Sequence, residues 1–482
     1  MEWIDAATAA DRLGVKPATL YAYVSRGVLK RRHEGRRSFF DAAEIEALAR
    51  RGRPRGQPPE LVIESAITAL GLDRHYYRGH DALDLARTTT FEATAERLWT
   101  PPGSAPDPDG PHAWRSDPAA VHAAVTAQRD LPDSLLPLDR LQVITTVLGA
   151  TDLLRFQLDP ASVAATARRL ITGLAEALPL LASPADTPGR AEVPGHAAIP
   201  DALPAPAGSG LPEAPSVLPG QADISHPVGG QGAPQPGPPR PEAGRAAPER
   251  AHPERRSPGS GTTSLSPPIA ERLWPRLSPH PPSPALLRAL EAALVLLADH
   301  ELAASTLAAR VAASAKADPY AVVLTGLGVL SGPLHGGASY AAEQLLTEVD
   351  RPTDAPRVIA DWVRRGRRIP GFGHSVYKNG DARATLLLDL VEEAVPGHDR
   401  VAAARAVAAE VRRRRLPEAN IDFALATLAA VSGMIPGAGE AAFAIARTAG
   451  WLAHAMEEYA RNSLLRLRAS YTGPPLPKPS TP

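Results

Sequence analysis

The sequence predicts a helix-rich protein, and three observations support that prediction. Helix start signals precede apolar residues at helical spacing, as at Ser283-Pro284, where an N-cap serine and a first-turn proline introduce leucines every four residues. Strand signals are scarce and do not alternate with helices, which argues against a doubly wound nucleotide-binding fold. Two stretches without charged residues, 319–342 and 423–439, hold many glycines and prolines, which indicates buried helices joined by turns rather than membrane spans.

Length and composition exclude several classes of functional site and partner. The chain has 482 residues, which predicts two to four domains. Its 52 basic and 52 acidic residues balance, so a chain-wide polyelectrolyte partner is not expected, although a local basic patch stays open. The absence of cysteine excludes disulfides, thiolate catalysis, zinc–cysteine sites and iron–sulfur clusters. No secretory signal is visible near the start, so the expected location is cytoplasmic.

Composition divides the chain into zones. Residues 1–56 form a basic module in which Lys and Arg outnumber Asp and Glu by 12 to 7. Residues 183–268 contain 20 prolines, 12 glycines and no aromatic residue, which predicts a disordered insertion that cannot offset the entropy of ordering. Residues 60–182 and 269–473 are helix-rich, and 474–482 are expected to form a flexible tail. Apolar periodicity predicts helices over 141–148, 163–178, 340–349 and 401–415.

The basic module predicts two short helices followed by a hairpin. A first helix over 6–13 ends at a glycine, and a proline and a glycine bound a second over 17–27. A turn at Glu34-Gly35 then separates two short arms, like a small wing. The pattern A-A-x-R-L-G-V-x-x-x-T-L-Y-x-Y-V-x-R-G resembles excisionase-like and MerR-like winged helix-turn-helix domains, which bind duplex DNA through the second helix and the wing.

That resemblance implies a set of DNA contacts. Thr19, Tyr21 and Tyr23 are expected on or near the face that meets the groove. The expected phosphate contacts are five cations of the wing: Lys30, Arg31, Arg32, Arg36 and Arg37. Such modules also mediate protein contacts, and a basic wing can simply be solvated, so this alternative stays open. A single copy binds DNA weakly, so DNA binding would require dimerisation through the rest of the chain.

The clearest chemical signals come from three histidines and one aspartate in distinctive contexts. They are LLADHELAAST (His300), LSGPLHGGASY (His335), IPGFGHSVYKNGDARA (His374) and ANIDFALA (Asp422). A carboxylate can remove a proton from carbon if another group holds the developing enolate oxygen, and an imidazole can polarise an acceptor carbonyl. Arginines nearby suit a substrate with several carboxylates, because each guanidinium binds one bidentately. The set suits carbon–carbon bond formation between an acyl thioester and a keto-diacid.

The same residues resemble the citrate synthase family over most of 60–182 and 269–473. The fragments PLHGGA, PGFGH-x-VYK-x-x-D-x-R and N-x-D-F are highly specific together, and they occur in the family's order. The resemblance implies an all-α fold with a large and a small domain in each subunit, assembled as a homodimer or higher homo-oligomer. It also implies that acetyl-CoA and oxaloacetate are substrates and that no cofactor is needed.

The resemblance assigns roles residue by residue. Asp422 matches the base that takes the methyl proton of acetyl-CoA, His335 the residue that stabilises the enol or enolate, and His374 the residue that activates the oxaloacetate carbonyl. The residues that match oxaloacetate binders are His300, Arg383, Arg447 and Arg466, the last donated by the neighbouring subunit. The residues that match CoA contacts are Lys378, beside a phosphate, and the backbone from Pro370 through Gly371 to Gly373, along the adenine.

Two positions depart from the family pattern. Leu467 replaces a proline that is usual between the two arginines near the end, so Arg468 is the fallback for Arg466. Leu297 stands where many bacterial members have a histidine, at a position outside the carboxylate binders. The catalytic set is otherwise complete, which favours an enzyme over a relative that has lost activity.

A metal site at these residues, and a functional role for two other features of the sequence, are considered next. The histidines and Asp422 could hold a metal, but their flanks lack the short helical spacing of common zinc sites, and no metal is expected. The arginine run 412–415 is predicted to be a solvated helix face. His454 is predicted to be structural.

The expected function is citrate synthase, with two alternatives. One is 2-methylcitrate synthase, which uses propionyl-CoA; a single methylene changes discrimination by only about 1–3 kcal/mol, so the sequence does not choose between them. The other is a DNA-binding regulator whose synthase-like body senses oxaloacetate, citrate or a CoA ester. Asp422 favours catalysis, because a silent sensor has no need of a base.

Overall fold

The computed structural model describes residues 3–13, 20, 21, 23, 24, 29–34, 37–42, 44, 45, 48, 63–101, 113–182, 266–378, 380–467 and 473. The chain divides into two compact units, Met1–Ala66 and Ile67–Pro482. The predicted insertion 183–268, except its last three residues, lies outside the described residues, as does the predicted tail 474–482. The predicted domain boundaries therefore stay predictions.

The first unit combines a helix with a small antiparallel sheet. Its elements are β1 (Trp3–Asp5), α1 (Ala6–Leu13), β2 (Arg31–Glu34) and β3 (Arg37–Asp41), with strand order β1-β3-β2. The first helix and the hairpin are confirmed, and the described residues of the second predicted helix, Leu20, Tyr21, Tyr23 and Val24, are helical. Strand β1 was not predicted; it forms because three residues before α1 pair with β3.

The second unit is built from helices, apart from a small sheet. Its strands are β4 (Thr68–Leu70), β5 (His75–Tyr77) and β6 (His80–Asp81), paired antiparallel in that order. The described helices of this unit are α2 (Ala82–Thr88), α3 (Phe91–Trp99), α4 (Pro118–Thr126), α5 (Pro137–Thr151), α6 (Pro160–Ala177), α7 (Ile269–Leu277), α8 (Pro284–Leu297), α9 (Ala304–Ser314), α10 (Pro319–Leu330), α11 (Gly337–Thr347), α12 (Ala355–Arg364), α13 (Ala382–Ala394), α14 (Asp399–Arg413), α15 (Ile421–Val431) and α16 (Ala438–Arg461). In the described part of the chain, none of the helices is both long and apolar enough to cross a membrane.

The predicted helix starts follow from local capping. Ser283 caps α8, since its Oγ accepts a hydrogen bond from the Leu286 N–H at 3.1 Å. Helices α5, α6 and α11 cover most of their predicted stretches, and α14 ends at Arg413 because Arg415 turns into the left-handed region at φ 56°. The sheet β4–β6 was missed because its strands have only two or three residues each.

Two hydrophobic cores form within the second unit. The larger core surrounds α16, which is buried along most of its length. The smaller core joins α11, α12, α14 and α15. Helix α15 belongs to both, because Leu425 and Leu428 face the larger core while Phe423 and Ala426 face the smaller one. The all-α architecture is thus confirmed, and the start of α15, which carries Asp422, lies where the two cores meet.

Candidate active site

A glycine loop is joined to the start of α15 by backbone hydrogen bonds. The Gly373 N–H donates to the Glu418 carbonyl at 2.8 Å, and the Asn420 N–H donates to the Gly371 carbonyl at 2.9 Å. Both glycines have positive φ, 79° and 84°, and a Cβ on Gly371 would lie only 2.8 Å from Cβ of Phe423. Glycine at these two positions therefore lets the loop, with His374 at its end, approach the segment that carries Asp422.

The imidazole of His374 is held in one tautomer. Its Nδ1 accepts the N–H of Val376 at 3.0 Å and that of Tyr377 at 3.2 Å. In a neutral ring the proton therefore sits on Nε2, which becomes a hydrogen-bond donor; Arg383 Nη2, 3.4 Å away, is also a donor, so the two groups are in contact without a hydrogen bond. Burial, helped by Arg383, lowers the pKa of His374 to about 4, so the ring is neutral near physiological pH.

His300 is buried within a cluster of rings. Its Nε2 lies 2.9 Å from the Tyr377 hydroxyl. Its ring packs edge-to-face against His374 at 5.3 Å and against His75 at 5.5 Å between centroids. Burial, with the nearby Arg383 charge, lowers the pKa of His300 well below its usual value, so it too is neutral.

Arg383 is a buried cation fixed by a bidentate ion pair. Its Nε donates to Asp381 Oδ1 at 2.9 Å, and its Nη2 donates to Oδ2 at 2.8 Å. Asp381 Oδ2 also accepts the Ile421 N–H at 3.1 Å, which ties the start of α13 to the start of α15. Burial disfavours both charges, but their attraction outweighs it and holds the pKa of Asp381 below its usual range. The guanidinium also lies over the Tyr377 ring, 5.3 Å from its centroid.

Arg447 is a second buried cation, and one of its donors is unsatisfied. Its Nε donates to the Leu297 carbonyl at 2.8 Å, and its guanidinium lies 4.6 Å from the ring centroid of Phe443. Its Nη1 is buried and has no hydrogen-bond partner among the described residues. Burial lowers the pKa of Arg447. Position 297 therefore contacts Arg447 through its backbone carbonyl rather than through its side chain.

His335 lies just before α11 and is held from α9. Its Nε2 lies 2.7 Å from Ser305 Oγ, which accepts the indole N–H of Trp451 at 3.2 Å. The serine can thus donate its own hydrogen to Nε2, an arrangement that favours the ring proton on Nδ1. Burial lowers the pKa of His335 to about 4, with a smaller contribution from Arg447.

Asp422 occupies the first turn of α15, where Asn420 caps the helix through a hydrogen bond to the Asp422 N–H at 3.0 Å. Its Oδ1 accepts a hydrogen bond from Ser339 Oγ at 2.5 Å. Burial raises the pKa of Asp422 to about 6, against the opposing effects of Ser339 and Arg383. This value suits a general base that works near neutral pH.

A cavity of about 390 Å³ opens beside the glycine loop. Its lining includes Gly373, His374, Lys378 and Arg415. Lys378 is exposed, and its Nζ lies 3.4 Å from the His374 carbonyl oxygen. The predicted solvated helix face is confirmed for Arg412 and Arg413, which are exposed on α14. Arg415 is exposed too, but its predicted place on the helix is wrong, because it lies beyond the end of α14 and lines the cavity. The cavity thus presents two cations beside the backbone of the loop.

The structure links most of the predicted site residues into one cluster. His300 and His374 pack against Tyr377, and Arg383 contacts His374 and lies over the Tyr377 ring. Asp422 directly follows Ile421, whose N–H donates to Asp381, the ion-pair partner of Arg383. His335 and Arg447 meet at Phe443, against which the imidazole packs at 6.1 Å between centroids. The part of the chain that the structure describes has no group of three or more His, Asp or Glu side chains arranged to hold a metal ion.

Arg466 lies apart from that cluster. It is exposed in the segment that follows α16, and no hydrogen bond among the described residues joins its side chain to the site. Its predicted role across a subunit boundary stays a prediction. The fallback, Arg468, lies outside the described residues.

The predicted DNA contacts are placed only in part. Lys30, Arg31 and Arg32 are exposed in and beside β2, and the Arg31 guanidinium lies 5.8 Å from the ring centroid of Tyr21. Tyr23 is half-buried and packs against the core of the first unit. Thr19, Arg36 and the Arg37 side chain lie outside the described residues.

Several residues of the cluster were not named from the sequence. Tyr377 and Asp381 stand inside the matched motif PGFGH-x-VYK-x-x-D-x-R, so closer attention to it would have found them. Ser339 stands four residues after His335, one helical turn away, which is a weaker signal. No sequence signal points to His75, because it stands in a strand too short to predict. Both of its ring nitrogens are buried and have no hydrogen-bond partner among the described residues.

His454, predicted to be structural, joins a buried polar network. Its Nδ1 lies 2.6 Å from Arg310 Nη1, and its Nε2 lies 3.3 Å from Asp299 Oδ2. Asp299 Oδ2 also accepts the hydroxyl of Thr68 at 2.5 Å. This network anchors the residue that directly precedes His300.

Comparison with known families and curated proteins identifies two domains. The family model "Citrate synthase, C-terminal domain" matches residues 252–468, and "Helix-turn-helix domain" matches residues 3–53. Citrate synthase 2 of Bacillus subtilis is 38% identical over 210 residues, which cover 43% of this chain and 56% of that protein. 2-Methylcitrate synthase 2 of Corynebacterium glutamicum is 35% identical over 194 residues, which cover 40% and 51%. The chain spans about half the length of the curated relatives it matches.

Comparison with solved structures identifies the fold that the chain shares with known proteins. The citrate synthase of Thermotoga maritima has a TM-score of 0.57 at 23% identity and covers 87% of this chain and 96% of that one. The citrate synthase of Thermoplasma acidophilum, solved as a ternary complex with carboxymethyl coenzyme A and oxaloacetate, has a TM-score of 0.59 at 20% identity and covers 89% and 98%. The chain therefore has the citrate synthase fold.

Proposed function

We propose that this protein, which carries a citrate synthase C-terminal domain over residues 252–468, is a citrate synthase. It condenses acetyl-CoA with oxaloacetate and water to give citrate and CoA. The observation that carries the proposal is the buried guanidinium of Arg447, whose Nη1 has no partner among the described residues. A buried cation with an unused donor is costly unless an anion pairs with it, and the carboxylates of oxaloacetate supply that anion.

Oxaloacetate binds among the buried cations and the neutral rings. Arg447 and Arg383 pair with its carboxylates, and His300 contributes a hydrogen bond. Arg383 is already oriented by Asp381, so it loses little freedom on binding. The Nε2–H of His374 donates to the ketone oxygen and polarises that carbonyl, which a neutral imidazole can do because its second nitrogen is bound by backbone N–H groups.

The acetyl group is activated by Asp422 and His335. Asp422 takes a proton from the methyl carbon, and the N–H of His335 stabilises the enol or enolate oxygen. The enol carbon then forms a bond to the ketone carbon of oxaloacetate, and the ketone oxygen becomes a hydroxyl by taking up a proton. Water finally cleaves the thioester of citryl-CoA, which releases citrate and the CoA thiol.

CoA is held by the cavity beside the glycine loop. The adenine lies along the backbone of 370–373, and Lys378 and Arg415 approach the phosphates from the cavity wall. A second copy of the chain supplies Arg466, so the working enzyme is a homodimer or higher homo-oligomer. The proposal places the enzyme in the cytoplasm, in the tricarboxylic acid cycle, and it uses no cofactor.

Thiol release tests this proposal. Purified protein is incubated with oxaloacetate and either acetyl-CoA or propionyl-CoA, and the free thiol is followed with a chromogenic disulfide. Preference for acetyl-CoA supports citrate synthase. Preference for propionyl-CoA supports 2-methylcitrate synthase, the activity named for the Corynebacterium glutamicum relative. No release from folded protein that still binds oxaloacetate would overturn both.

A second candidate function is a DNA-binding regulator that senses a metabolite through its citrate synthase-like domain. The exposed cations Lys30, Arg31 and Arg32 of the helix-turn-helix domain favour it. Fluorescence anisotropy of labelled duplex DNA, with and without oxaloacetate, tests it. Binding that oxaloacetate changes supports the regulator, and an unchanged anisotropy at low salt contradicts it.

A further inference from the structure

Ser339 contacts the proposed base directly. It is fully buried on α11, and its Oγ lies 2.5 Å from Asp422 Oδ1, on a helix 83 residues further along the chain. A serine hydroxyl beside a carboxylate donates, since an ionised carboxylate can only accept. Among the described residues, Ser339 provides the one side-chain hydrogen bond to this carboxylate.

Helix α11 is itself fixed to the start of α16. Glu343, one turn after Ser339, accepts the N–H of Gly437 at 2.7 Å and the N–H of Gly439 at 2.9 Å. A Cβ on Gly439 would lie 3.6 Å from Cβ of Ser339, so the two helices touch at the serine. The hydroxyl therefore has little freedom to move away from Asp422.

The same helix also fixes the position of His335. That histidine stands two residues before α11, and the Ala338 N–H donates to its carbonyl at 3.2 Å. The proposed enolate-stabilising group and the partner of the base are thus four residues apart, one just before α11 and the other in its first turn. A reaction that moves a proton from a methyl group while the enolate oxygen is held requires these two groups at a constant separation.

We propose that Ser339 is a positioning residue for Asp422: its hydroxyl engages Oδ1, orients the carboxylate relative to His335 and leaves Oδ2 for proton transfer. This inference rests on the proposed function. It deepens that proposal, because it assigns a role to a side chain that takes no part in bond making or breaking.

The hydrogen bond also acts on the ionisation of the base. Burial raises the pKa of Asp422, and the Ser339 hydroxyl opposes that rise because it stabilises the carboxylate. The other charges that act on Asp422 are Asp381 and Arg383 at the start of α13, and Glu440 and Arg447 on α16. Removing the hydroxyl leaves those charges in place, so the pKa of Asp422 must rise.

The test compares Ser339→Ala with wild type over a range of pH. We expect the acid limb of kcat to move up by about one pH unit, so that kcat falls about tenfold below both limbs and about twofold near neutrality, with little change in the KM for oxaloacetate. Ser339→Thr, which keeps the hydroxyl, should restore the wild-type limb. Thr347→Ala, an exposed change on the same helix, is the matched control and should leave the profile unchanged. An unmoved acid limb in Ser339→Ala would overturn the proposal.

A measurement without turnover separates this inference from the proposed function. Carbon-13 NMR of protein labelled at the aspartate carboxyls follows the titration of Asp422, whose resonance is assigned by its loss in Asp422→Asn. An upward shift of its midpoint in Ser339→Ala supports the hydrogen bond even if the protein releases no thiol. An identical midpoint in both proteins refutes it, whatever the activity.

Discussion

The two units of the protein use their charges in opposite ways. In the second unit, Arg383 and Arg447 are buried; Arg383 is held by an ion pair, and Arg447 keeps a donor that has no partner in the described part of the chain. In the first unit, Lys30, Arg31 and Arg32 are exposed in and beside β2. A buried cation can bind one specific anion and is screened by salt much less, whereas exposed cations bind phosphate chains loosely and lose affinity as salt rises. This difference in burial indicates that specific substrate chemistry lies at the buried cations of the second unit and not at the exposed cations of the first.

The largest expected effect on kcat comes from replacing the buried carboxylate of Asp422. Asp422→Asn removes the proposed base while it keeps the shape of the side chain, so kcat should fall by about 10²–10⁴-fold. Thiol release measures it, and Asp117→Asn, a helix cap far along the chain, is the control. Full turnover in Asp422→Asn would mean that another group removes the proton.

Arg447→Gln tests whether the unused donor binds substrate. Loss of a buried cation opposite a carboxylate should weaken oxaloacetate binding about 10²-fold or more, as seen by titration calorimetry. Arg272→Gln is a suitable control, because Arg272 is also buried and pairs with Glu176 at 3.0 Å, away from the predicted site residues. Equal affinity in Arg447→Gln and wild type would show that the donor serves only the fold.

The pH dependence of kcat distinguishes Asp422 from the two histidines, His335 and His374, within the buried cluster. The pKa of Asp422 is raised to about 6, so the base becomes protonated and activity should decline as the pH falls through about 6. The pKa values of His335 and His374 are lowered to about 4, so both rings stay neutral throughout that decline. At one pH unit below the midpoint, kcat should be about tenfold lower. A midpoint near pH 4, where His335 and His374 titrate, would contradict this assignment.

The smallest effect is expected in the first unit. The double change Arg31→Gln and Arg32→Gln should weaken binding of duplex DNA a few-fold and reduce the slope of log affinity against log salt by about two. Thiol release should be unchanged. Anisotropy titrations at several salt concentrations measure the slope, and an unaltered slope would place any DNA contact elsewhere.

The sequence was sufficient wherever local chemistry determines structure. The cap and proline at Ser283-Pro284 determined the start of α8, and the short motif with His374 placed it on a glycine loop. Each of these two features depends on a few adjacent residues, so a single sequence carries them. The two-domain fold and the clustering of His300, His374 and Arg383, which are distant in the chain, were expected instead from the resemblance to the citrate synthase family.

The rest depends on pairs that are distant in the chain. The contact of Ser339 with Asp422 spans 83 residues, and that of Thr68 with Asp299 spans 231. No local pattern encodes such pairs, because only the packed fold brings their elements together. Arg415 was misassigned for a related reason: helical periodicity predicts a face, but not the left-handed residue that ends the helix.

Product identification tests the central claim most directly. The protein is incubated with oxaloacetate and acetyl-CoA labelled with carbon-13 on the acetyl group, and the products are separated and weighed by mass spectrometry. The account predicts citrate that carries both labelled carbons, together with one free CoA per citrate. Absence of labelled citrate from folded protein that binds both substrates would contradict it.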